Sequence, residues 1–514
     1  MNFFSSAAMS ENNIVHEKSK GLNLSIKYRR ILWLVLLSVL AVRLLTLGMY
    51  SLQDTTEARY GEIARIMVET QNWVTPQFDY DVPFWGKPPL ATWLSAGSFE
   101  ILGVNEFAAR LPSFFIALMV LILVYHLATR QRNSDLGLLS TFMLSSSVLF
   151  FIIAGAIIMD AALLLGVTLS MVAFWRAMNS IERRYQYYWG YAFFIGISIG
   201  LLSKGPLVFV LTGVPIGLWV ILQGSIKQTW KKIPWISGIV LMLIISLPWY
   251  ILAEQRTPGF IDYFIIGEHW NRFMISGWQG DLYGTAHAKP RGTIWLHAIM
   301  SFFPWSFLLP IILWRLKSIV KQQVIQNHSW AIYLSLWAIT PLLFFTFSGN
   351  ILATYTLPAM VPLAIITAEL LLILLQTESV KKYLKIFVTL GIVMPLIMMT
   401  AIAAQNEGYI KTKSQKDIIA RYDQLKTDQQ SQLIYLLKRP FSAQFYSKGQ
   451  AIEIKSWQQI LPYLEDEKSD YYVIKNNQLQ KLPNDVLFKL RLIGEYHGYS
   501  LLQESDKGNI GLNE

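Results

Sequence analysis

Apolar stretches of about 20 residues recur along this 514-residue chain, and they limit its fold more than any other feature. A helix of about 20 residues crosses the roughly 30 Å hydrocarbon core of a bilayer. In lipid each backbone N–H and C=O needs a partner within the chain, which leaves helices as the spanning form for runs of this length. The runs fall near 31–50, 111–129, 136–156, 158–178, 188–203, 205–222, 235–252, 293–314, 330–348, 355–376 and 383–403. The expected fold is therefore an all-α polytopic membrane protein with about eleven spans. The 18 Trp and 24 Tyr suit the aromatic belts of such a protein.

Charge orients the spans. Alternate loops carry Arg130 and Arg132; Arg176, Arg183 and Arg184; Lys227, Lys231 and Lys232; Arg315, Lys317 and Lys321; Lys381, Lys382 and Lys385. With the basic N-terminal stretch (Lys18, Lys20, Lys27, Arg29, Arg30) these define the cytoplasmic side by the positive-inside rule. The net charge of +11 is accounted for in this way, and nucleic acid is not an expected partner. The first apolar run follows the basic stretch without a small-residue cleavage site, so it reads as a retained signal anchor. There is no Cys, which excludes disulfides, thiolate metal sites and a Cys nucleophile.

The segment 89–103 is only about 15 residues long. Counting it as a span would put the basic loops outside, so it reads as an amphipathic helix at the interface. The expected organisation is a cytoplasmic segment 1–30, a membrane region 31–403 with outer loops 51–110 and 253–292, and an outer tail 404–514. The tail has soluble composition, with β-rich runs "QLIYLL" and "YYVIK" between helical stretches, and is long enough for a small α/β domain.

Charged residues that a membrane disfavours gather at the outer ends of these spans. Asp54 and Glu57 stand at the start of a helix in the first loop, opened by Thr55 or Thr56 as cap, with Ile63, Ile66 and Met67 on one face. Capping a helix dipole accounts for such carboxylates as readily as catalysis does. Arg59 and Arg65 are read as exposed or as ligands of headgroup phosphates. Lys87 precedes Pro88 and Pro89, which stiffen the turn; it is either a phosphate ligand or a snorkelling anchor. Asp160 lies in an apolar run, "AGAIIMDAALLL", where an unpaired carboxylate costs a few kcal/mol; a structural pair with Arg43 or Lys204 is the alternative to function. Lys204 sits in a turn marked by Gly205 and Pro206. Glu268, His269 and Arg272 share one helical face, the Arg being suited to forking a phosphate. A divalent ion at Glu268 and His269, near Asp54 and Glu57, is left open, although no second His completes a zinc set. Tyr355 lies at the outer mouth of a span, where belt tyrosines are common.

Taken in order, "TEARYGEIARIMVETQNWVTPQF", "FWGKPPLATWLSA", "GVNEFAARLPS", "MDAALL", "LSKGP", "EHWNRF" and "TYTLP" resemble bacterial members of the protein O-mannosyltransferase superfamily, and within it the lipid A aminoarabinose transferase branch. The resemblance runs from about residue 30 to 360 and leaves out the tail. It implies a GT-C glycosyltransferase of the bacterial inner membrane. Such an enzyme moves a sugar from a polyprenyl-phosphate (undecaprenyl-phosphate) donor to a periplasmic acceptor, lipid A or another. It further implies that Arg59, Lys87, Lys204, Arg272 and Tyr355 hold the carrier phosphate, that Asp160 lies near the sugar or acceptor, and that Asp54 or Glu57 supplies the catalytic carboxylate. Where that branch has "D-E-x-R-Y" and "E-K-P", this chain has Thr56 and Gly86, which leaves open a neutral sugar or a different amino sugar. Protein O-mannosyl transfer and lipid or sugar transport without transfer are the competing activities. A transporter places its charges near the midplane of broken helices rather than at one rim.

Overall fold

The computed structural model describes residues 24–284, 287–316, 328–377, 380–426, 430–466 and 468–504. Of the basic residues used to orient the chain, Lys18, Lys20, Lys317 and Lys321 lie outside these, as do the side chains of Lys381 and Lys382.

Every stretch read as a span is helical. The helices are Ile26–Leu45, Glu106–Gln131, Ser134–Ser145 with Val148–Ile153, Met159–Asn179, Arg183–Lys204, Leu207–Leu222, Trp235–Arg256, Thr293–Ser301 with Trp305–Arg315, His328–Thr346, Leu357–Thr377 and Val380–Asn406. Among the described residues, seven helices are long and apolar enough to cross a membrane by themselves. The chain is a multi-pass membrane protein. Two expectations are corrected: the stretch 136–156 is broken between helices Ser134–Ser145 and Val148–Ile153, and the stretch 293–314 is not a straight span, because its two helices meet at 94°. Pro304 stands at the break and has no N–H to continue the helical ladder.

Small residues bring the central helices together. A Cβ on Gly166 would lie 2.7 Å from the Gly196 carbonyl oxygen, so Met159–Asn179 and Arg183–Lys204 meet backbone to backbone. Arg130, Arg176, Arg183 and Arg315 lie at the helix ends opposite to those bearing Asp160 and Lys204. These arginines and the Asp160–Lys204 pair therefore occupy different ends of the bundle, while a second pair, Arg29 with the buried Asp135 at 2.6 Å, lies at the arginine end.

The first loop holds helix Thr56–Thr70, a short antiparallel ladder of β1 (Gln77–Asp79) with β2 (Val82–Pro83), and helix Leu90–Leu102. The last helix has 13 residues. At about 1.5 Å per residue it falls short of the hydrocarbon core, and it packs on its neighbours Thr56–Thr70 and Glu106–Gln131. Thr55 occupies the cap position of helix Thr56–Thr70 but makes no side-chain capping bond, contrary to expectation. Ile63, Ile66 and Met67 form its buried face. Arg65 is not exposed: it forks Glu62 at 2.7 Å through two nitrogens and reaches Glu69.

The tail forms a five-stranded mixed sheet from β3 (Leu433–Leu436), β4 (Ile452–Ile454), β5 (Tyr471–Lys475), β6 (Leu490–Tyr496) and β7 (Tyr499–Glu504), in the order β4-β3-β5-β7-β6. Strands β3, β4 and β5 run parallel; β7 pairs antiparallel with β5 and β6. The runs that suggested strands, around Leu433–Leu436 and Tyr471–Lys475, are the buried centre of this sheet. The domain is docked on the first loop. Lys416 pairs with Glu106 at 2.6 Å, Arg439 with Asp79 at 2.8 Å, and Gln444 donates to Asp79 at 2.8 Å. Tyr446 donates to Glu106 and accepts from the Leu52 N–H. Phe445 joins the apolar cluster of Leu52, Ala58 and Phe99 beneath it.

Candidate active site

A cavity of about 1000 Å³ lies where the first loop, the second loop, the ends of four central helices and the tail meet. Arg59, Lys87, Asp160, Lys204, Glu268, His269, Arg272 and Tyr355 all line it. Residues separated by almost 300 positions in sequence are therefore neighbours.

Local sequence explains how each cation is aimed. Helix Arg183–Lys204 ends at Gly205, whose φ of +68° suits a residue without Cβ, and whose N–H returns to the Leu201 carbonyl at 2.9 Å. A Cβ there would meet Phe264 at 2.7 Å and His269 at 3.2 Å. The glycine thus lets the second loop close over the turn while Lys204 points inward, its Nζ 2.6 Å from Asp160 Oδ1 and 4.8 Å from the Tyr355 ring centroid. Asp160 takes the Lys204 alternative of its two expected partners. Tyr355 is stacked on Phe345 at 4.3 Å, which fixes its ring.

The second loop winds as a wide π-type helix over Tyr263–Asn271. Such turns are rare and recur at functional sites. Glu268, buried here, accepts from Lys87 at 2.6 Å and from Arg272 at 3.0 and 3.1 Å. Burial alone would raise this carboxyl; Lys87 and Arg272 overcome it and hold Glu268 down at about 2. Arg272 also lies 3.3 Å from Asp281. Arg59 donates to the Tyr283 carbonyl at 2.5 Å, while its buried Nε has no partner among the described residues. Two cations sharing one carboxylate, beside an under-used guanidinium, form a pocket for a further anion.

The metal expectation is not supported by the donor geometry. Glu268 is turned to its cations, and both nitrogens of His269 lie against carbonyl oxygens, of Phe264 at 2.7 Å and of Lys204 at 2.9 Å. Among the described residues, no group of three or more His, Asp or Glu is placed to hold a metal ion.

Asp54 and Glu57 do not line the cavity. Glu57 is forked by Arg110 at 2.7 and 2.8 Å. Arg110 is fully buried, lies over the Tyr50 ring, and donates to the carbonyls of Leu47, Tyr50 and Ser51. Asp54 accepts from the N–H and hydroxyl of Ser442 in the tail, and burial raises its carboxyl above the usual range. Sequence reasoning passed over Arg110, although a lone Arg one turn into an apolar helix was a readable signal. It also passed over Asp79, Asp281, Tyr283, Lys438 and Arg439, which line the cavity from loops and from the tail.

The geometry is that of a multi-pass membrane protein with a cation-rich cavity at one end of its helix bundle. Residues 27–264 match the family described as dolichyl-phosphate-mannose-protein mannosyltransferase. More particularly, the chain is similar to undecaprenyl phosphate-alpha-4-amino-4-deoxy-L-arabinose arabinosyl transferases. It is 31% identical to that of Erwinia tasmaniensis over 351 residues, 67% of this chain and 60% of the relative. It is 32% identical to that of Yersinia pestis over 343 residues, 65% of this chain and 58% of the relative. The matches thus span about three-fifths of these relatives' length. The fold is shared with the crystal structure of ArnT from Cupriavidus metallidurans bound to undecaprenyl phosphate, at a TM-score of 0.74 and 16% identity, covering 92% of this chain and 98% of that one. This likeness extends over the tail, which the sequence motifs did not reach.

Proposed function

We propose that the chain transfers a sugar from an undecaprenyl-phosphate carrier to lipid A on the periplasmic face of the inner membrane. The observation that carries this reading is the convergence of Arg59, Lys87, Lys204 and Arg272 on one cavity at the bundle end away from the basic loops. Leu207, Val210, Phe273 and Phe344 in the same lining offer an apolar path for a polyprenyl chain. The names of the similar transferases, and of the ArnT structure with its bound carrier, support the same donor.

In the proposed step an acceptor oxygen attacks the anomeric carbon, the bond from that carbon to the carrier phosphate oxygen breaks, and the phosphate leaves with the electron pair. By resemblance the displacement is single and inverting. Negative charge grows on the phosphate as it leaves, and fixed cations there stabilise the transition state more than the ground state. Before the carrier binds, Glu268 balances Lys87 and Arg272. The incoming phosphate shares or displaces those bonds, and Tyr355 and Lys204 close the site. Asp160 orients Lys204 and faces the sugar.

A phosphate acceptor is already ionised and needs no base. The cavity carboxylates Asp79, Asp160, Glu268 and Asp281 each lie within ion-pair distance of a cation, and Glu453 accepts the Arg439 N–H, which favours that choice over a hydroxyl. A hydroxyl acceptor, as in protein mannosylation, would require one of them to be released as base. Asp54 and Glu57, outside the lining, serve on this reading as braces. Thr56 and Gly86 line the cavity where the aminoarabinose pattern carries carboxylates, which supports a sugar that does not require two acidic contacts.

Membranes holding the chain, given labelled undecaprenyl-phosphate sugar and lipid A, should consume the donor and label lipid A. Lys87→Ala and Arg59→Ala should each cut this sharply without loss of protein. Normal transfer by both variants would overturn the phosphate assignment, and unconsumed donor with the wild-type chain would overturn the activity.

A further inference from the structure

The tail forms one wall of the cavity through Lys438, Arg439, Phe441, Gln444 and Glu453. Most of these are already engaged. Arg439 donates to Asp79 at 2.8 Å and to the Ala451 carbonyl at 2.7 Å, and its N–H donates to Glu453 at 3.0 Å. Gln444 is tied to Asp79. Phe441 lies edge-on to Phe78 with ring centroids 5.0 Å apart.

Lys438 differs. It is exposed on the cavity side, and among the described residues no carboxylate lies within ion-pair distance of it. The other lysines of the lining, Lys87 and Lys204, are both paired at 2.6 Å. The preceding Leu437 adopts φ +70°, a conformation that a bulky residue rarely takes, while its N–H donates to the Ile454 carbonyl at 2.6 Å. The turn is thus held by the sheet in a form that its own sequence does not favour, and such strain gathers at ligand sites. Docking by Asp54, Asp79 and Glu106 fixes this wall against the first loop.

We propose that residues 437–444 of the tail form the acceptor-binding wall, and that Lys438 selects a phosphorylated glycolipid headgroup. This rests on the transferase reading and deepens it: the membrane loops grip the donor phosphate, and the tail grips the acceptor phosphate. A lysine acts here as a hydrated point charge that gives up water only for an anion.

The test is direct binding, independent of turnover. The full chain in phosphatidylcholine nanodiscs is titrated with bisphosphoryl lipid A, with its dephosphorylated counterpart and with phosphatidylglycerol. Lys438→Glu should weaken binding of the bisphosphoryl form at least tenfold, about 1.4 kcal/mol. Lys438→Arg should retain it, and the dephosphorylated form should bind all three proteins equally weakly. Because Lys438 is exposed, both variants should fold. Equal affinity of the wild type and Lys438→Glu for the bisphosphoryl form overturns the inference, as does equal competition by phosphatidylglycerol. Binding of labelled undecaprenyl phosphate to the same preparations reports on the donor reading separately. Its loss in the wild type would sink that reading, whereas intact carrier binding with lipid A binding indifferent to Lys438 sinks only this one.

Discussion

Two ion-pair systems near the first loop use the same residue types for different ends. In one, Arg110 forks Glu57 and spends its remaining donors on three backbone carbonyls. In the other, Lys87 and Arg272 share Glu268 at the cavity wall, next to Lys204 with Asp160. The first is closed: each donor is used and no ligand is needed. The second lines the cavity beside Arg59, whose Nε has no partner among the described residues, and so opens to a further anion. A charge near a membrane becomes functional when its partner set is incomplete without a ligand.

This contrast can be broken or sharpened by mutation. The largest effect is expected for Arg110→Ala, which strands Glu57 and removes three carbonyl bonds. A buried pair broken from one side costs about 3–5 kcal/mol. Thermal unfolding in detergent should show the loss; an unchanged midpoint would remove Arg110 from its bracing role. Lys87→Ala comes next, with turnover down about 10²–10³-fold, as for deletion of one preorganised charge-stabilising donor, and a near-native melting curve. Asp160→Asn should keep the fold and lose turnover, and unchanged turnover would return that residue to a purely structural pair.

Smaller effects separate the carboxylates. Glu57→Gln should lower stability by about 1–3 kcal/mol yet keep turnover per folded molecule. Lost turnover at an unchanged melting point would restore Glu57 as the base. Asp54→Asn keeps an acceptor for Ser442 and removes a charge that burial disfavours, so stability should change by less than about 1 kcal/mol. The smallest change concerns pH. The Glu268 carboxyl is depressed from 4.5 to about 2 in the folded protein. Its contribution to stability is therefore complete above about 4.5 and is lost only as pH falls through about 2. The pH–rate profile of Glu268→Gln should match the wild type in shape between about pH 5 and 8, whatever its height. A missing inflection in that range would show that Glu268 titrates during turnover.

Much of the fold was legible because hydropathy has no alternative reading in lipid. The ends of the helices followed from length, and the short helix Leu90–Leu102 was excluded as a span because it lacks the reach. The 94° bend in the 293–315 region was not legible. Proline at a break is a permissive signal, and continuous helices with internal prolines, such as Glu106–Gln131 with Pro112, occur in the same chain. At the site, Lys87, Asp160, Lys204 and Arg272 stood out because charge is rare in apolar surroundings. Asp54 and Glu57 stood out equally and lie outside the lining, since a carboxylate at a helix start looks the same whether it faces a cavity or a buried Arg. Lys438 and Arg439 could not stand out at all, because cations are ordinary in a soluble domain.

The sequence by itself determined that the chain crosses a membrane many times, that basic residues gather in alternate loops, and that a strand-bearing region follows the helices. These follow from one-dimensional quantities: length of apolar runs, sign of loop charge and alternation. Which charges pair, which remain open to a ligand, and that the tail closes the cavity were decided only in three dimensions. Electrostatic pairing acts over a few ångströms between residues hundreds of positions apart, and nothing in the linear order fixes those distances.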